Sequence, residues 1–576
     1  MNAPTTSVTD VAILGGGVAG LTLALQLAAA TPALRVTIVE RTTFPVPEAT
    51  HKVGESTVEI AAHYLRDVLA LSEHLFEEQL EKFGLRVFFT SGDNTDITAR
   101  PEMGHATPPP QAVGTFQLDR GRLENYLKDK AAASPNITII DGSRVSRLEE
   151  SRDGHRVTYQ KEQVSHDLRA HWLVDATGRA SLLKRHLDLA KSVDHQSSAA
   201  WVRVHDEIDI DQWSQDPSWH RRIRQGQRRF STNHLMGEGY WVWIIPLASG
   251  ATSVGIVADD TVHDFDQFNS QERFMNWLGS HEPQLAKALA ARDHLIGDFK
   301  VMRDYSYSAE KVFDADQGWF LTGEAGVFLD PFYSPGLDLI AISNGLITDV
   351  ITRASTGEDV EELAAIHNQI FLIISEGWLE IYRGHASTMA SPCAMTAKVI
   401  WDTAVYWAVP GFLYFHQMIP RVADEPPVVV GLARFRAASV VVQQFFRDWA
   451  AVDDGAYGRP FVSFYDFPFM PGLHTGMTAQ LDAPTATAQF MTNVALVEHL
   501  SGQLVSSVLT RFESTGASPQ QRAQAAAWRS DERLLSLIEA YETDESGVDA
   551  DPGWVWRQPP SAPSQTVPAV GVGGGA

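Results

Sequence analysis

The sequence is short of cysteine and of positive charge. It contains one cysteine, Cys393, which excludes an internal disulfide framework and a thiolate metal cluster. Lys and Arg number 46 against 71 Asp and Glu, which gives a formal net charge of −25. Because phosphates and anionic lipids are bound by clustered Lys and Arg, this balance argues against nucleic acid or an anionic membrane as a partner. The lone cysteine fits a reducing compartment, and we expect a cytoplasmic protein.

Long uninterrupted apolar segments are also lacking. The first residues, MNAPTTSVTD, have no basic segment followed by an apolar run, so no secretion signal is expected. The most apolar long stretch, residues 399–420, contains Asp402, Pro410, Gly411 and His416. It is therefore a poor membrane span and is better interpreted as a buried or ligand-lining helical segment. At 576 residues the chain is too long for one core, so two or three domains are expected.

The first 40 residues have the pattern of a strand–helix–strand unit. The apolar run at residues 11–14 enters GGGVAG, residues 15–20, which is followed by the helix pattern LTLALQLAAA and the strand pattern RVTIVE. Glycines allow the backbone to turn tightly and to approach a pyrophosphate at the helix N-terminus, where N–H groups favour anions. Glu40, which ends the second strand, is placed to accept a hydrogen bond from a ribose hydroxyl. The unit predicts a dinucleotide site.

Three later segments favour a flavin over a nicotinamide cofactor. Residues 115–127, TFQLDRGRLENYL, resemble the strand-to-helix entry at which many FAD monooxygenases set a Gln and an Arg beside the flavin and its phosphates. Residues 172–181, WLVDATGRAS, resemble the strand end that closes the same nucleotide domain. Residues 320–345, which begin FLTGEAGVFLD, resemble the late Gly-Asp segment of those enzymes, with Glu324 in place of the usual Asp. Together they indicate FAD.

The rest of the chain divides by its hydrophobic pattern. Residues 88–115 and 199–300 contain strand-like runs that are expected to form a sheet over the substrate, including YWVWIIP at 240–246. A strand sends every second residue to one face, so the two indoles of this heptapeptide project together and either fill a core or wall a cavity. Apolar residues at three-to-four spacing predict a helical C-terminal domain over residues 356–545. The Pro-, Ser- and Gly-rich residues 546–576 predict a disordered tail.

Two motifs carry a closer resemblance. Residues 241–246, WVWIIP, match the WxWxIP signature of flavin-dependent halogenases, and residues 328–336, FLDPFYSPG, match the FxxPxxSxG signature of the same family. The resemblance covers about the first 350 residues. It implies an α/β fold, with a Rossmann-like FAD-binding domain of the aromatic-hydroxylase and halogenase type over residues 1–355 and an interleaved β-sheet substrate domain. It also implies that a substrate pocket is walled by Trp241, Trp243, Ile245 and Pro246.

The resemblance assigns the remaining site residues. A Gly-Glu-Ser element, in HKVGEST at residues 51–57, joins the segments above in holding FAD. Ser334 and the neighbouring Tyr333 are the catalytic candidates of the second motif, and Pro335 and Gly336 occupy its halide position. The predicted FAD contacts are Gly15, Gly17, Ala19, Gly20, Glu40, Arg41, Gly54, Glu55, Ser56, Gln117, Arg120, Gly323, Glu324, Pro331, Gly336 and Leu337.

The implied chemistry passes through a lysine remote from the flavin. In the family, reduced FAD and O2 give a hydroperoxide that oxidises chloride or bromide to hypohalous acid, which moves to a lysine beside the substrate. Residues 77–89, EEQLEKFGLRVFF, resemble the lysine strand and place Lys82 there; the competing Lys52 belongs to the flavin-side element. An ammonium would hydrogen-bond the oxidant, whereas a neutral amine, favoured by burial, would form a haloamine.

The chain departs from the family pattern at two positions. Tryptophan-halogenating relatives have a Glu immediately before the motif serine, where this chain has Tyr333, so we expect an electron-rich phenol, resorcinol or pyrrole as substrate. In the family the halide rests against the N–H groups of the two residues after the serine. Pro335 has no N–H, so one donor is lost and halide binding is expected to weaken by one to two decades.

Three function classes follow from these motifs. The leading one is a two-component, FAD-dependent halogenase, supplied by a separate flavin reductase because the sequence has one nucleotide-binding unit, and acting on a small aromatic that is free or tethered to a carrier protein. The alternative is a flavin monooxygenase on the same scaffold that uses no halide. The third is a non-enzymatic flavoprotein scaffold. His367, His385 and His416 lack a metal-ligand spacing and are interpreted as structural, so no metal site is expected.

Overall fold

The apolar runs of the sequence form two large sheets with a helical layer against them. The structure is a computed structural model that describes residues 6–48, 52, 54–453 and 459–542; the predicted tail lies outside these residues. Strands β1 to β20 are, in chain order, Thr6–Leu14, Val36–Val39, Leu80–Lys82, Leu85–Phe88, Glu102–Gly104, Thr115–Gln117, Ile137–Ile140, Ser143–Glu149, His155–Lys161, Val164–Asp175, Ala190–Lys191, Ser197–Val204, Thr232–Gly237, Tyr240–Pro246, Thr252–Asp259, Ile296–Met302, Ser308–Ala309, Phe313–Asp314, Trp319–Leu321 and Phe461–Ser463.

The helices cluster after the second motif. Helices α1 to α18 are Val18–Ala30, Glu59–His63, Ser72–Glu78, Arg120–Ala132, Leu182–His186, Pro217–His220, Gln271–His281, Pro283–Ala290, Gly336–Ser355, Glu361–Tyr382, Ala386–Met389, Pro392–Tyr406, Phe412–Phe415, Pro426–Ala450, Phe469–Gly476, Ala483–Glu513, Pro519–Trp528 and Glu532–Glu542. A π-helical turn, Trp407–Gly411, joins α12 to α13 and contains Pro410, which lacks the N–H that a regular helix would use.

The first sheet is the nucleotide-binding sheet. Its main order is β18-β19-β10-β1-β2-β7, and β7, β2, β1, β10 and β19 run parallel. Strands β8 and β9 add an antiparallel extension on β10. Every residue of β2 and the last four of β1 are buried, as expected for parallel strands covered on both faces. The strand–helix–strand unit predicted for the first 40 residues is present.

The second sheet contains YWVWIIP. Its order is β16-β12-β15-β14-β13-β4-β5-β20, and most of its pairs are antiparallel. Along β14, Trp241, Trp243 and Ile245 join the core that is shared with the nucleotide sheet. The side chains on the other face, Tyr240, Val242 and Ile244, belong to a separate core that includes residues of α7 and α8. The predicted period-2 alternation is therefore present, and the indoles face the nucleotide domain.

The predicted helical C-terminal region is helical except for one strand. Strand β20 pairs in parallel with β5 and so adds a strand to the second sheet, which the sequence did not predict. Residues 399–420 are mostly buried, as expected for a core segment, and so is Cys393. One helix of the described chain, α14, is long and apolar enough to cross a membrane by length and composition alone, and 39% of its most apolar window is buried.

Candidate active site

The glycine-rich turn between β1 and α1 allows close backbone approach. Gly15 has φ +106°, and a Cβ there would lie 2.3 Å from the Ala176 carbonyl oxygen, so only glycine fits. Gly17 caps α1, and a Cβ there would meet no atom within 4 Å. Glu40, just after β2, accepts a hydrogen bond from the Gly16 N–H at 2.5 Å. This open helix N-terminus with a carboxylate beside it fits the pyrophosphate and ribose of FAD.

The other predicted nucleotide segments converge on this turn. Gly323 has φ +59°, and a Cβ there would lie 3.0 Å from the Cβ of Ala19. Arg120 donates to the Gly54 carbonyl oxygen at 3.3 Å. Burial raises the pKa of Glu324. The fold thus brings together the segments at residues 15–20, 54–57, 115–127 and 320–345, which lie far apart in the chain.

Several predicted cofactor contacts use their side chains elsewhere. Glu55 forms a buried ion pair with Arg203 of β12. The Ser56 hydroxyl lies 2.9 Å from the Thr232 hydroxyl, to which Gln117 Nε2 also donates at 2.9 Å. What these three positions can offer FAD is therefore backbone rather than side chain. Gly20 packs its Cα against the Gly15 carbonyl oxygen, Leu337 is buried, Pro331 is half-buried and Arg41 is exposed.

The two halogenase-like motifs are in contact through an aromatic wall. The Trp241 ring centroid lies 5.4 Å from that of Phe332 in the second motif and 5.8 Å from that of Trp243. His234 packs against both Trp241 and Phe332. Trp243 Nε1 donates to the Ser253 hydroxyl at 3.0 Å, whereas the buried Nε1 of Trp241 has no hydrogen-bond acceptor among the described residues. Ile245 and Pro246 complete the buried strand.

Lys82 lies at the end of β3, buried to 5% exposure. Its Nζ donates to the Ser56 hydroxyl at 2.8 Å and to the Thr57 carbonyl oxygen at 2.7 Å. Burial lowers the pKa of Lys82 to about 7, against the opposing fields of Glu59 and Asp338. Both the ammonium and the free amine are therefore accessible at neutral pH. The competing Lys52 is 41% exposed in its side chain and pairs with Glu124.

Two acidic residues that influence the charge of Lys82, Glu59 and Asp338, belong to no sequence motif. Glu59 is the first residue of α2, and its Oε1 accepts from Trp407 Nε1 at 3.1 Å and lies 2.8 Å from His474 Nε2. Asp338, in the first turn of α9, accepts from the Ala61 N–H at 2.8 Å and from the Tyr406 hydroxyl at 2.7 Å. The partners of both carboxylates come largely from the helical region. Nothing in the local sequence links α2 to α12 or α15, so pattern reasoning had no signal for this cluster.

The second motif ends in a left-handed turn that leads into α9. Tyr333 and Ser334 have φ +68° and +60°, a conformation that costs roughly 1–2 kcal/mol for each non-glycine residue. The Tyr333 hydroxyl donates to Asp402 at 2.9 Å, which directs it into the helical region. Pro335 caps α9, and a Cβ on the exposed Gly336 would meet no atom within 4 Å. The helix therefore presents the Gly336 N–H, but none at Pro335, to open space.

A buried polar group lies behind this turn. His195 Nε2 is 2.7 Å from Asp330 Oδ2, and the Tyr305 hydroxyl donates to the same oxygen at 2.7 Å. One ligand atom from each of His195, Asp330 and His385 lies within 4.8 Å of the others, a spacing that could hold a metal ion. The sequence did not predict this group, because its three residues lie far apart in the chain and share no metal-ligand spacing. His367 and His416 are dispersed, and they contact Asp349 and the Gly476 carbonyl oxygen respectively.

Comparisons with known proteins indicate the same cofactor. A family model for the FAD binding domain matches residues 8–261. The flavin-dependent halogenase chlA of Dictyostelium discoideum is 25% identical over 453 residues, which cover 72% of each chain. A 1H-pyrrole-2-carbonyl-(peptidyl-carrier protein) chlorinase of Pseudomonas fluorescens is 26% identical over 373 residues, which cover 62% of this chain and 79% of the chlorinase.

The chain is similar in sequence to flavin-dependent halogenases and contains an FAD binding domain.

Solved structures of halogenases share the fold of the chain. Halogenase PltM in complex with phloroglucinol and FAD aligns with a TM-score of 0.62 at 16% identity, over 93% of this chain and 96% of that one. The flavin-dependent brominase Bmp2 aligns with a TM-score of 0.53 at 19% identity, over 77% of this chain and 98% of the brominase. The predicted α/β fold and FAD dependence are confirmed, and the chain is an FAD-dependent enzyme.

Proposed function

We propose that this chain is a two-component halogenase that acts on a small, electron-rich aromatic ring and receives reduced FAD from a separate flavin reductase. The observation that supports this best is Lys82. Burying a lysine is costly unless its charge is neutralised or paired. Here the amino group is anchored by Ser56 and Thr57, lies in the field of two carboxylates, and has a pKa of about 7. Such an amine is suited to chemistry rather than to stability.

The cofactor supplies the oxidant, and the chain binds the halide and controls where the oxidant goes. When bound, reduced FAD with O2 and chloride or bromide supplies hypohalous acid. Helix α9 receives the halide near the Gly336 N–H, with the weakened site that Pro335 implies. The wall of Trp241, Trp243 and Phe332 separates the flavin side from the substrate side. The chain must therefore exclude bulk water along this path, since free hypohalous acid would otherwise escape.

Lys82 delivers the halogen. As an ammonium it donates a hydrogen bond to the oxygen of hypohalous acid and gives it a proton as the oxygen–halogen bond breaks, so that water leaves. As a free amine its nitrogen attacks the halogen, the oxygen–halogen bond breaks, and the oxygen leaves as water with a proton from the amine, so that the halogen is held on nitrogen. A pKa of about 7 makes both routes available at neutral pH. Ser56 and Thr57 fix the direction of the amino group in either case.

The proposed substrate is a phenol, a resorcinol or a pyrrole. Tyr333 points to Asp402, so its phenol is not aimed at Lys82. One relative acts on a pyrrole held on a carrier protein, and one structural neighbour binds phloroglucinol. Both free and carrier-tethered substrates therefore belong in the test.

One observation favours a halide-independent monooxygenase as a second candidate. The expected halide position loses a donor at Pro335, and an acidic residue, Asp338, occupies the first turn of the same helix. An ionised carboxylate there would repel an anion. Burial raises the pKa of Asp338 to about 8, so it is largely protonated at neutral pH and the repulsion is relieved. This balance leaves halogenation as the favoured function.

The test is product analysis by mass spectrometry. Purified protein, a flavin reductase, FAD, NADH, O2 and chloride or bromide are incubated with phenols, resorcinols and pyrroles, free and carrier-tethered. We expect halide-dependent products with the isotope pattern of chlorine or bromine, and none when Lys82 is replaced. Products that gain oxygen and do not depend on halide would establish the monooxygenase instead.

A further inference from the structure

Glu59 follows by two residues Thr57, whose carbonyl oxygen accepts a hydrogen bond from the Lys82 amine at 2.7 Å. Both side-chain contacts of the Glu59 carboxylate, from Trp407 Nε1 at 3.1 Å and His474 Nε2 at 2.8 Å, involve one oxygen, Oε1. The other oxygen, Oε2, has no side-chain partner among the described residues, and the Glu59 side chain keeps 11% exposure. Of the two acidic residues that raise the pKa of Lys82, Glu59 and Asp338, Glu59 has the larger effect.

The helical region holds this carboxylate in a chain of polar groups. The His474 ring stacks on Trp407 with centroids 3.9 Å apart and planes at 6°. His474 Nδ1 lies 2.7 Å from the Tyr465 hydroxyl. Tyr465, His474 and Glu59 therefore form a continuous line that ends at α2. Two of the three belong to the helical region, and the third opens α2 on the nucleotide-binding side.

Glu59 suits a proton acceptor better than the neighbouring Asp338. Both oxygens of Asp338 are occupied, by the Ala61 N–H and the Tyr406 hydroxyl, and burial raises its pKa to about 8. Burial alone would raise the pKa of Glu59, but the neighbouring His474 outweighs it and leaves that pKa below its ordinary value. At neutral pH Glu59 is therefore an anion whose Oε2 can accept a hydrogen bond, whereas Asp338 is mostly a neutral acid.

Resting on the proposed halogenase function, we propose that Glu59 accepts the hydroxyl proton of a phenolic substrate at Lys82 and so selects hydroxyarenes over aryl ethers. His474 and Trp407 are positioning residues that orient its carboxylate. A hydroxyl donating to Glu59 Oε2 would place the aromatic ring next to the lysine that delivers the halogen. A methyl ether has no proton to donate at this point, and an anionic carboxylate would repel its oxygen.

The step balances without a further reagent. The ring carbon takes halogen from hypohalous acid, whose oxygen keeps the electron pair and takes a proton from the Lys82 ammonium to leave as water. The ring then carries positive charge, which makes its hydroxyl strongly acidic, so even a carboxylate of low pKa removes that proton. A halogenated dienone results. Its ring proton passes to the Lys82 amine, and Glu59 returns a proton to the oxygen, which restores both groups and yields the halophenol.

A matched pair of substrates tests the assignment. Resorcinol and 1,3-dimethoxybenzene have similarly activated rings, but only resorcinol has hydroxyl protons. For Glu59→Gln, which keeps an oxygen for Trp407 and His474, we expect kcat for resorcinol to fall about 100-fold. The slower rate with 1,3-dimethoxybenzene should change less than about threefold, since no proton is lost from oxygen. Glu59→Asp, which retains a carboxylate, should recover part of the resorcinol rate.

A binding measurement provides a readout besides activity. Calorimetric titration of the FAD-loaded protein should show resorcinol bound about tenfold or more tightly than 1,3-dimethoxybenzene, the worth of a hydrogen bond to a charged acceptor. Glu59→Gln should remove most of that preference. Glu81→Gln, which alters an exposed carboxylate on the same strand as Lys82, should leave rates and binding unchanged.

The outcomes separate the two proposals. Equal loss of rate for both substrates in Glu59→Gln, or an unchanged binding preference, would overturn the role of Glu59 and leave the halogenase function standing. If the unmodified protein halogenates nothing, the proposed function is wrong, and the binding arm alone decides whether Glu59 recognises a hydroxyl.

Discussion

Lys82 is the single residue on which the proposed chemistry depends. Replacing it by Ala removes the only amine among the described residues that donates to Ser56 and to the Thr57 carbonyl oxygen. We expect Lys82→Ala to retain FAD and to keep consuming O2, while halogenated product falls below detection. A soluble trap for hypohalous acid should then capture more oxidant than in the unmodified protein. The control, Lys191→Ala, alters an exposed lysine of β11 and should halogenate normally. Loss of O2 consumption in Lys82→Ala would instead place the lysine on the flavin side.

The buried amine also has a thermodynamic signature. Because the pKa of Lys82 falls from 10.5 to about 7 on folding, the unfolded chain binds more protons between pH 7 and 10.5, and this group makes stability rise with pH in that window. The penalty is fully present below pH 7 and is of the order of several kcal/mol. Lys82→Met should therefore melt higher than the unmodified protein at pH 7, with a gain that shrinks toward pH 10. A gain independent of pH, measured by calorimetry, would contradict the lowered pKa.

Residue roles were predictable from sequence only where a motif carried them. Lys82, Trp241 and Ser334 belong to short motifs, and the structure places the first two at buried positions on strands. Glu59 and His474 belong to no motif and meet only because α15 packs near α2. The side chain of Tyr333 was expected at the site, but its partner, Asp402, lies in α12. Pairings across distant elements need the fold and cannot be read from local patterns.

At the scale of elements, two glycines in the turn between β1 and α1 have different roles, one in folding and one in cofactor binding. A Cβ at Gly15 would collide with the Ala176 carbonyl group, whereas a side chain at Gly17 would meet only open space. We therefore expect Gly17→Val to fold with a normal circular dichroism spectrum but to purify without FAD, because the side chain takes the place of the pyrophosphate. Gly15→Ala, by contrast, should reduce soluble yield. Gly17→Val with full flavin absorbance would show that the cofactor lies elsewhere.

The N-terminus of α9 governs the halide. Pro335 caps this helix with φ −77°, and its missing N–H leaves Gly336 as the first donor. Pro335→Thr supplies a second N–H, and we expect apparent halide affinity to rise about tenfold, with chloride gaining more than the less hydrated bromide. Product yield against halide concentration measures the effect, and FAD occupancy checks that the turn survives. Saturation of the unmodified protein at low chloride would contradict the weakened site.

The sequence predicted helices and strands better than it predicted which strands pair with each other. The period-2 alternation of YWVWIIP fixed which side chains share a face, and the structure confirms that the odd-numbered residues from Trp241 to Ile245 face the nucleotide domain. The three-to-four spacing likewise predicted helices after residue 356. It did not predict β20, a three-residue strand, because so short a segment has no measurable period and forms through pairing with β5.

At the scale of the whole molecule, the nucleotide sheet, the aromatic wall and the helical region share one core. Val11 of β1, Trp241 of β14 and Trp401 of α12 belong to the same hydrophobic cluster. The contact between Glu59 and His474 joins α2 to α15 of the helical region. The helical region is therefore both a wall of the site and a part of the fold.

Because the helical region shares this core, we expect the nucleotide domain not to fold without it. A chain ending at residue 355 would lose β20, leave β5 as an open edge, and expose apolar side chains that now pack against α10, α12 and α14. Each large side chain uncovered costs about 1.5–3 kcal/mol, so a few of them exceed the net stability of a typical domain. We expect this truncation to be insoluble and free of FAD, and the full chain to unfold in one calorimetric transition. A chain ending at residue 542 keeps every described element and should match the full chain. A soluble, yellow 1–355 fragment would show instead that the nucleotide domain folds alone and that the helices only cover Lys82.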